Sequence, residues 1–221
     1  MHLNNVALAL VATLFQTPIV EAALEDNAKY FPSPWARGGP DGWDPAHERA
    51  REFVSQLTLT EKVNLTTGTG WEADRCVGVT GSIPRLGFRG LCLMDGPLGV
   101  RYADLTSAFP AGISTAATFS RRLIRARGLA MGREFRGKGV DVQLGPAVGP
   151  LGMFPEGGRN WEGFGPDPYL AGVSTAETVK GIQEGGVVAC VKHYILNEQE
   201  HFRNSISGEI GGRVMHEVFL W

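Results

Sequence analysis

The chain has 221 residues, of which 43% are hydrophobic, and its formal net charge is −2 at pH 7. This length and apolar content allow one large domain or two small ones, each with a buried core. Acidic and basic residues are intermixed without a long basic run, which argues against a nucleic-acid partner and against a polybasic membrane surface.

The N-terminal sequence has the pattern of a secretory signal peptide. Residues 6–15 form an apolar stretch, and Ala22 supplies a small residue suited to a cleavage site. The stretch is too short to span a bilayer, so we predict a signal peptide over residues 1–22 and an extracellular protein. The n-region holds His2 but no Lys or Arg, and the alternative is a packed or disordered N-terminal helix.

Secretion makes the cysteines and one asparagine interpretable. Cys76 and Cys92 flank a loop with Gly and Pro that suits a disulfide in an oxidising compartment. Cys190 lies inside an apolar run and is predicted to be buried and inert. Asn64 opens the sequon N-L-T, which predicts N-glycosylation.

After an N-terminal arm over residues 23–45, predicted helices and strands alternate along the chain. The strands carry the sequences RGLCLMDGP, VDVQLGPAVGP and VVACVKH. The helices begin at DPAHERAREF, TLTEK, FSRRLIRARGLAMGREF, DPYLAGVSTAETVKGIQ and GRVMHEVFLW, and NEQEHFR is predicted to open a further short helix. In the third of these helices, Leu123, Ile124, Met131 and Phe135 are predicted to face inward and the arginines outward.

Continuously apolar strands that alternate with helices predict a parallel sheet covered on both faces. A doubly wound sheet and a (β/α)₈ barrel both fit this order. The sequence contains neither G-x-G-x-x-G nor G-x-x-x-x-G-K-[ST], which disfavours the doubly wound sheet and with it a nucleotide-dependent α/β enzyme. Polar residues instead follow the strands, as in barrels, so we predict an incomplete (β/α)₈ barrel over residues 46–221.

Four charged or titratable residues follow these strand-like runs and form the candidate binding site: Asp95, Arg159, Lys192 and His193. A carboxylate can accept from two adjacent hydroxyls, while the cations donate to their oxygens. Trp161 offers an apolar face against which a sugar ring could pack. The set predicts a site for a neutral ligand dense in hydroxyl groups, with no cofactor.

Simpler interpretations exist for each residue. Asp95 precedes Gly-Pro and could be a turn aspartate. Arg159 could pair structurally with Glu156 or Glu162, and Trp161 could belong to the core. Lys192 and His193 resist such an interpretation, because charge at the end of an apolar strand is costly unless it is paired or used.

The segment HYILNEQEH is a candidate metal site, since it contains His193, Glu198, Glu200 and His201. The spacing differs from H-E-x-x-H, and the ammonium of Lys192 would repel a cation. We therefore predict no metal site.

The long composite motifs of the chain are similar to those of a known family. The segments RCVGVTGSIPRLGFRGLCLMDGPLGVR, FPAG, GPAVGPLGMFPEGGRNWEGFGPDPYLAG and VKHYILNEQEHFR resemble the N-terminal barrel domain of family-3 glycoside hydrolases. Within that family the resemblance is greatest to the secreted fungal β-glucosidases, and it extends over residues 43–221.

The resemblance implies roles for individual residues. Asp95, Arg159, Lys192 and His193 would hold the non-reducing glucosyl unit of cellobiose or a related β-glucoside, in cellulose and polysaccharide degradation. Cys76 and Cys92 would form a disulfide, and Asn64 would carry a glycan. Trp161 and Glu162 remain loop scaffold.

The chain also departs from the family pattern. These enzymes are retaining, with an Asp nucleophile in a Ser-Asp-Trp-like motif and a Glu acid/base from a second domain. No Ser-Asp-Trp occurs in this sequence, so the chain alone is expected to be inactive and to need the C-terminal domain of the same polypeptide. Gly211-Gly212 and Met153 are smaller departures. The alternative is a sugar-binding module or inactive pseudo-enzyme with the same pocket, and a cooperative melt shifted upward by glucose would favour it.

Overall fold

The computed structural model describes residues 43–72 and 76–220. The predicted signal peptide and the arm up to residue 42 lie outside the described residues. Two compact units divide the chain, one ending at Thr58 and the other beginning at Leu59. No helix in the described ranges is both long and apolar enough to cross a bilayer.

In the first unit, helix α1 spans Asp44–Ser55. Pro45 stands in its first turn, where a missing N–H costs nothing because the first amides of a helix have no intrahelical acceptor. The helix therefore begins within the segment DPAHERAREF, as predicted.

The second unit contains the remaining helices and all the described strands. Its helices are α2 (Leu59–Thr67), α3 (Gly112–Ala116), α4 (Arg121–Gly137), α5 (Pro168–Glu184) and α6 (Gly212–Val214), the last continuing into a π-helical turn over Met215–Phe219. Its strands are β1 (Gly78–Val79), β2 (Cys92–Asp95), β3 (Val142–Leu144) and β4 (Val188–Ala189). Short 3₁₀ turns span Pro84–Leu86, Pro155–Gly157 and Asn160–Glu162.

The strands form one four-stranded sheet in the order β1-β2-β3-β4. β1 runs antiparallel to β2, with Val79 opposite Cys92. β2, β3 and β4 are parallel, with Asp95 opposite Leu144 and Val142 opposite Val188. Since α4 connects β2 to β3 and α5 connects β3 to β4, these are the strand–helix–strand crossovers that the alternating pattern predicts.

Helices α4 and α5 pack closely because glycines face the contact. A Cβ added at Gly128 would lie 2.6 Å from the carbonyl oxygen of Thr178, and one at Gly132 would lie 2.5 Å from that of Ile182. Real Cβ atoms do not approach backbone oxygens so closely. The two glycines therefore set the distance between the helices that cover this side of the sheet.

The predicted inner face of α4 is correct for three of its four residues. Ile124, Met131 and Phe135 are buried, but Leu123 is 45% exposed, and Arg127, predicted to face outward, is buried. The buried residues of α4 lie at positions 124, 127, 128, 131, 132 and 135, which together form one face of the helix. Leu123 lies about 100° around the helix from its neighbour Ile124. A guanidinium enters this stripe because backbone carbonyls accept its hydrogen bonds.

Three other expectations are wrong. The strands are covered on one face only within the described residues: β2 alternates buried Cys92 and Met94 with partly exposed Leu93 and Asp95. Cys190 is exposed rather than buried, because β4 forms the edge of the described sheet. The segment NEQEHFR forms no helix, because residues 197–200 are irregular and residues 201–203 lie in a turn.

Candidate functional site

Asp95 ends strand β2, and its two carboxylate oxygens bond to different cations. Lys192 Nζ donates to Oδ1, and Arg101 Nη1 donates to Oδ2 at 3.0 Å. Burial alone would raise the pKa of Asp95, but the hydrogen bonds and charges of Lys192 and Arg101 outweigh it and lower that pKa below 3.8. Asp95 is therefore an anion at neutral pH, held in a fixed orientation.

Lys192 and His193 follow β4 and are held by the segment that follows β3. The amide of Lys192 donates to Pro146 O at 3.0 Å, and the carbonyl of Lys192 accepts from the amide of Val148 at 2.7 Å. These two bonds extend the parallel pairing of β3 with β4 beyond the strands themselves. The sheet thus brings Lys192 to Asp95 by backbone pairing.

The imidazole of His193 has a defined tautomer in its neutral form. Its Nδ1 lies 2.9 Å from Gly149 O, and since a carbonyl oxygen only accepts, Nδ1 carries the proton. Burial is the main cause that lowers the pKa of His193, the charges of Arg159 and Lys192 lower it further, and the bond to Gly149 opposes them. Neutral His193 consequently presents Nε2 as an acceptor, whereas donation from Nε2 would need the protonated ring.

Arg159 lies close enough to His193 to act on its charge, but its guanidinium is already bonded on one side. Nε and Nη2 donate to Glu162 at 2.7 and 2.9 Å, and Nη1 lies 3.8 Å from Glu200. The bond to Glu162 is the first cause of the raised pKa of Arg159. The structural ion pair considered from the sequence is thus present, and it orients the guanidinium.

Residues of the segment after Lys192-His193 brace the loop that carries Arg159. Glu198 accepts from the amides of Leu151 and Gly152 at 2.8 and 3.3 Å, and Glu200 pairs with Arg203 at 3.0 Å. Glu198 thus bonds to a different loop, whereas the pair of Glu200 with Arg203 lies within one segment. Trp161, on the same loop as Arg159, is 50% exposed and is therefore not a core residue.

Arg101 is a site residue that the sequence reasoning missed. It follows Asp95 by six residues, beyond the turn that Gly96 and Pro97 begin. Its Nη2 donates to the hydroxyl of Tyr102 at 2.9 Å, and that hydroxyl donates to Glu72 at 2.7 Å. An arginine after a Gly-Pro turn was the available signal, but only the folded turn directs it back to the carboxylate.

A cavity of about 330 Å³ lies beside Lys192 and His193. Its other walls are mostly apolar and include Val148, Leu151 and Phe219. Asp95 and Arg159 do not line it. The space that all four predicted residues share is therefore the open carboxyl edge of the sheet, not this cavity.

The remaining predicted site residues lie away from that edge. Cys76 and Cys92 form a disulfide with a Cα–Cα distance of 5.6 Å. Asn64 is exposed on α2, and its Nδ2 donates to Ser82 O at 3.3 Å. Within residues 43–72 and 76–220, no group of three or more His, Cys, Asp and Glu side chains could hold a metal ion.

The chain matches proteins of one family. The profile of the Glycosyl hydrolase family 3 N terminal domain matches residues 84–201. A probable β-glucosidase A of Aspergillus terreus is 60% identical over 228 aligned positions, which cover 96% of this chain and 26% of the relative. The chain thus spans about a quarter of that relative's length.

Solved structures agree in fold. A family 3 β-glucosidase from Neurospora crassa superposes with a TM-score of 0.77 at 57% identity, covering 86% of this chain and 24% of the other. β-Glucosidase 3B of Thermotoga neapolitana, solved in complex with glucose, superposes with a TM-score of 0.73 at 37% identity, covering 78% of this chain and 26% of the other. The predicted fold class, part of an α/β barrel, and the resemblance to fungal β-glucosidases are confirmed. The chain belongs to glycoside hydrolase family 3 and contains part of the N-terminal domain of that family.

Proposed function

We propose that this chain supplies the glucosyl-binding part of a retaining β-glucosidase, which releases the non-reducing terminal glucose from cellobiose and related β-glucosides. The observation that carries the proposal is the position of Asp95. Its carboxylate lies at the carboxyl end of a parallel strand, between the cations of Lys192 and Arg101. Active sites of α/β barrels occupy this edge.

The chemistry of the four residues supports a sugar ligand. Asp95 accepts from hydroxyl groups, while Lys192 and Arg159 donate to hydroxyl oxygens. Neutral His193 accepts through Nε2, so the site offers both kinds of partner that a hydroxyl requires. A phosphate would meet the anionic Asp95, which disfavours a charged ligand of that kind.

Hydrolysis with retention of the anomeric configuration needs two carboxylates that flank the scissile bond. No Ser-Asp-Trp sequence occurs in the 221 residues, and we propose that the nucleophile and the acid/base come from further parts of the same polypeptide. The chain alone would then bind glucose without hydrolysing glucosides. The alternative from the sequence, a sugar-binding module or inactive pseudo-enzyme with the same pocket, would bind glucose in the same way. The two differ in whether the longer polypeptide hydrolyses glucosides.

The cellular setting belongs to the same proposal. We propose a signal peptide over residues 1–22, an extracellular location and a glycan at Asn64. The buried disulfide between Cys76 and Cys92 supports an oxidising compartment. We propose no nucleic-acid partner, no membrane partner and no cofactor.

The experiment is a glucose titration of the 221-residue chain, followed by thermal melting and by calorimetry. We expect glucose at millimolar concentration to raise the melting temperature, and we expect Asp95→Asn to abolish the rise. Asp104→Asn, which changes an exposed aspartate, is the matched control and should respond like the parent. A parent chain that does not bind glucose would overturn the proposal. Appreciable hydrolysis of an aryl β-glucoside by this chain would overturn the proposal that the catalytic carboxylates come from further parts of the polypeptide.

A further inference from the structure

A ladder of side-chain hydrogen bonds leads away from Asp95 on the side opposite Lys192. Arg101 Nη1 donates to Asp95 at 3.0 Å, and Arg101 Nη2 donates to the hydroxyl of Tyr102 at 2.9 Å. The hydroxyl of Tyr102 donates to Glu72 Oε1 at 2.7 Å. The two terminal nitrogens of one guanidinium are thus divided between the site carboxylate and a tyrosine.

The direction of each bond in this ladder is determined. A tyrosine hydroxyl has one proton, and Tyr102 donates it in the hydrogen bond to the carboxylate oxygen of Glu72. The oxygen lone pairs of Tyr102 therefore face Arg101, which only donates. Glu72 thus determines the polarity of the hydroxyl that holds Arg101.

Two further features indicate that the ladder is a built arrangement. The guanidinium of Arg101 lies 4.8 Å from the centroid of the Tyr102 ring, within the range of a cation–π contact. Tyr102 and Glu72 also both have left-handed backbone conformations, with φ of 54° and 50°. Non-glycine residues adopt this conformation at a cost in free energy, and it persists where the surrounding structure requires it.

We propose that Tyr102 and Glu72 are positioning residues of the sugar-binding site, which hold Arg101 so that it fixes the carboxylate plane of Asp95. The inference rests on the function proposed above. The side chain of Arg101 is 52% exposed, and such an arginine loses conformational entropy when it keeps one geometry. The ring and the hydroxyl of Tyr102 together supply the contacts that offset this loss.

The first test measures the order of Arg101 by NMR of its guanidinium. In the parent chain we expect slow rotation about the Nε–Cζ bond, with resolved Nη signals. Tyr102→Phe keeps the ring and removes the hydroxyl, and we expect faster rotation. Because Tyr102 is 62% exposed, this variant should fold like the parent. Tyr169→Phe, the same change at an exposed tyrosine on α5, is the matched control.

The second test measures the glucose dissociation constant of the same variants. Loss of one hydrogen bond that orients the site should raise it by about twofold to tenfold in Tyr102→Phe. Tyr102→Leu, which also removes the ring, should raise it further. Glu72→Gln keeps an oxygen acceptor and should bind glucose close to the parent, whereas Glu72→Ala should resemble Tyr102→Phe.

The possible results distinguish failure of the positioning role from failure of the proposed glucose-binding function. A parent chain that fails to bind glucose overturns the proposed function, and the positioning role in a sugar site falls with it. A parent that binds glucose, together with a Tyr102→Phe variant of unchanged Arg101 rotation or unchanged affinity, overturns the positioning role alone. Faster rotation and weaker binding in Tyr102→Phe, with Tyr169→Phe unchanged, support it.

Discussion

Lys192 Nζ donates to Asp95 Oδ1 although 97 residues separate the two along the chain. The side chains are only 15% and 19% exposed. At this burial, removal of either partner leaves a charge with little water to replace the lost contact. The pair therefore connects the candidate site to the stability of the sheet edge.

Asp95→Asn should lower the free energy of unfolding by about 1–3 kcal/mol at neutral pH, because the charge-assisted bonds from Lys192 and Arg101 are lost. Urea unfolding of the parent, Asp95→Asn, Lys192→Met and the double variant measures the effect. The double variant should lose less than the sum of the single losses. Strict additivity would show that the two residues do not interact in solution.

The contribution of Asp95 also depends on pH. Because its folded-state pKa lies below 3.8, the stabilisation is fully present above that value and is lost as pH falls through the lower, folded-state pKa. The stabilities of the parent and of Asp95→Asn should therefore converge in acid. A difference between them that stays constant to the lowest pH at which the parent folds would contradict the ion pair.

His193 should make stability fall as pH is lowered from neutrality. Its pKa in the folded chain is below 6.5, so the unfolded chain binds a proton first. The stability due to neutral His193 is complete above pH 6.5 and declines as pH falls toward the folded-state pKa. Unfolding measured between pH 7 and 5 should show a smaller decline in His193→Gln. An equal decline would assign the effect to other groups.

Arg127 should stabilise the segments on either side of the loop after Asp95. It is buried and donates to Pro97 O and Pro110 O, each at 2.8 Å, and burial lowers its pKa to about 10. Arg127→Met leaves both carbonyls without this donor and should cost about 1–3 kcal/mol of unfolding free energy. Arg122→Met, at an exposed arginine of the same helix, is the control and should change little. Equal losses in both variants would contradict the role of the two carbonyl bonds.

The contact between α4 and α5 should not tolerate a methyl group. Gly128→Ala or Gly132→Ala should destabilise the chain, because the new Cβ would collide with backbone oxygens of α5. Gly137→Ala is the matched control, since a Cβ there meets nothing within 4 Å. It should be neutral or stabilising by up to about 1 kcal/mol through the higher helix propensity of alanine. Thermal melting of the three variants compares them, and unchanged melting of Gly128→Ala would contradict the close packing.

Local patterns in the sequence determined the order of the elements and the strand-end positions of Asp95 and Lys192. Apolar periodicity and Gly-Pro turns act within a few residues, so they can be read without the fold. The composite motifs also identified the family. These patterns left two alternative partners for Arg159 and supplied no partner for Asp95 or Lys192.

Tertiary structure alone decided those partners. Arg101 reaches Asp95 through a folded turn, Arg159 is oriented by Glu162, and Arg127 is buried although it was predicted to face solvent. An arginine is buried or exposed according to which carbonyls and carboxylates come within about 3 Å of it, and that depends on strand register and helix packing. Cys190 shows the same limit, since an apolar strand is buried only where another element covers it.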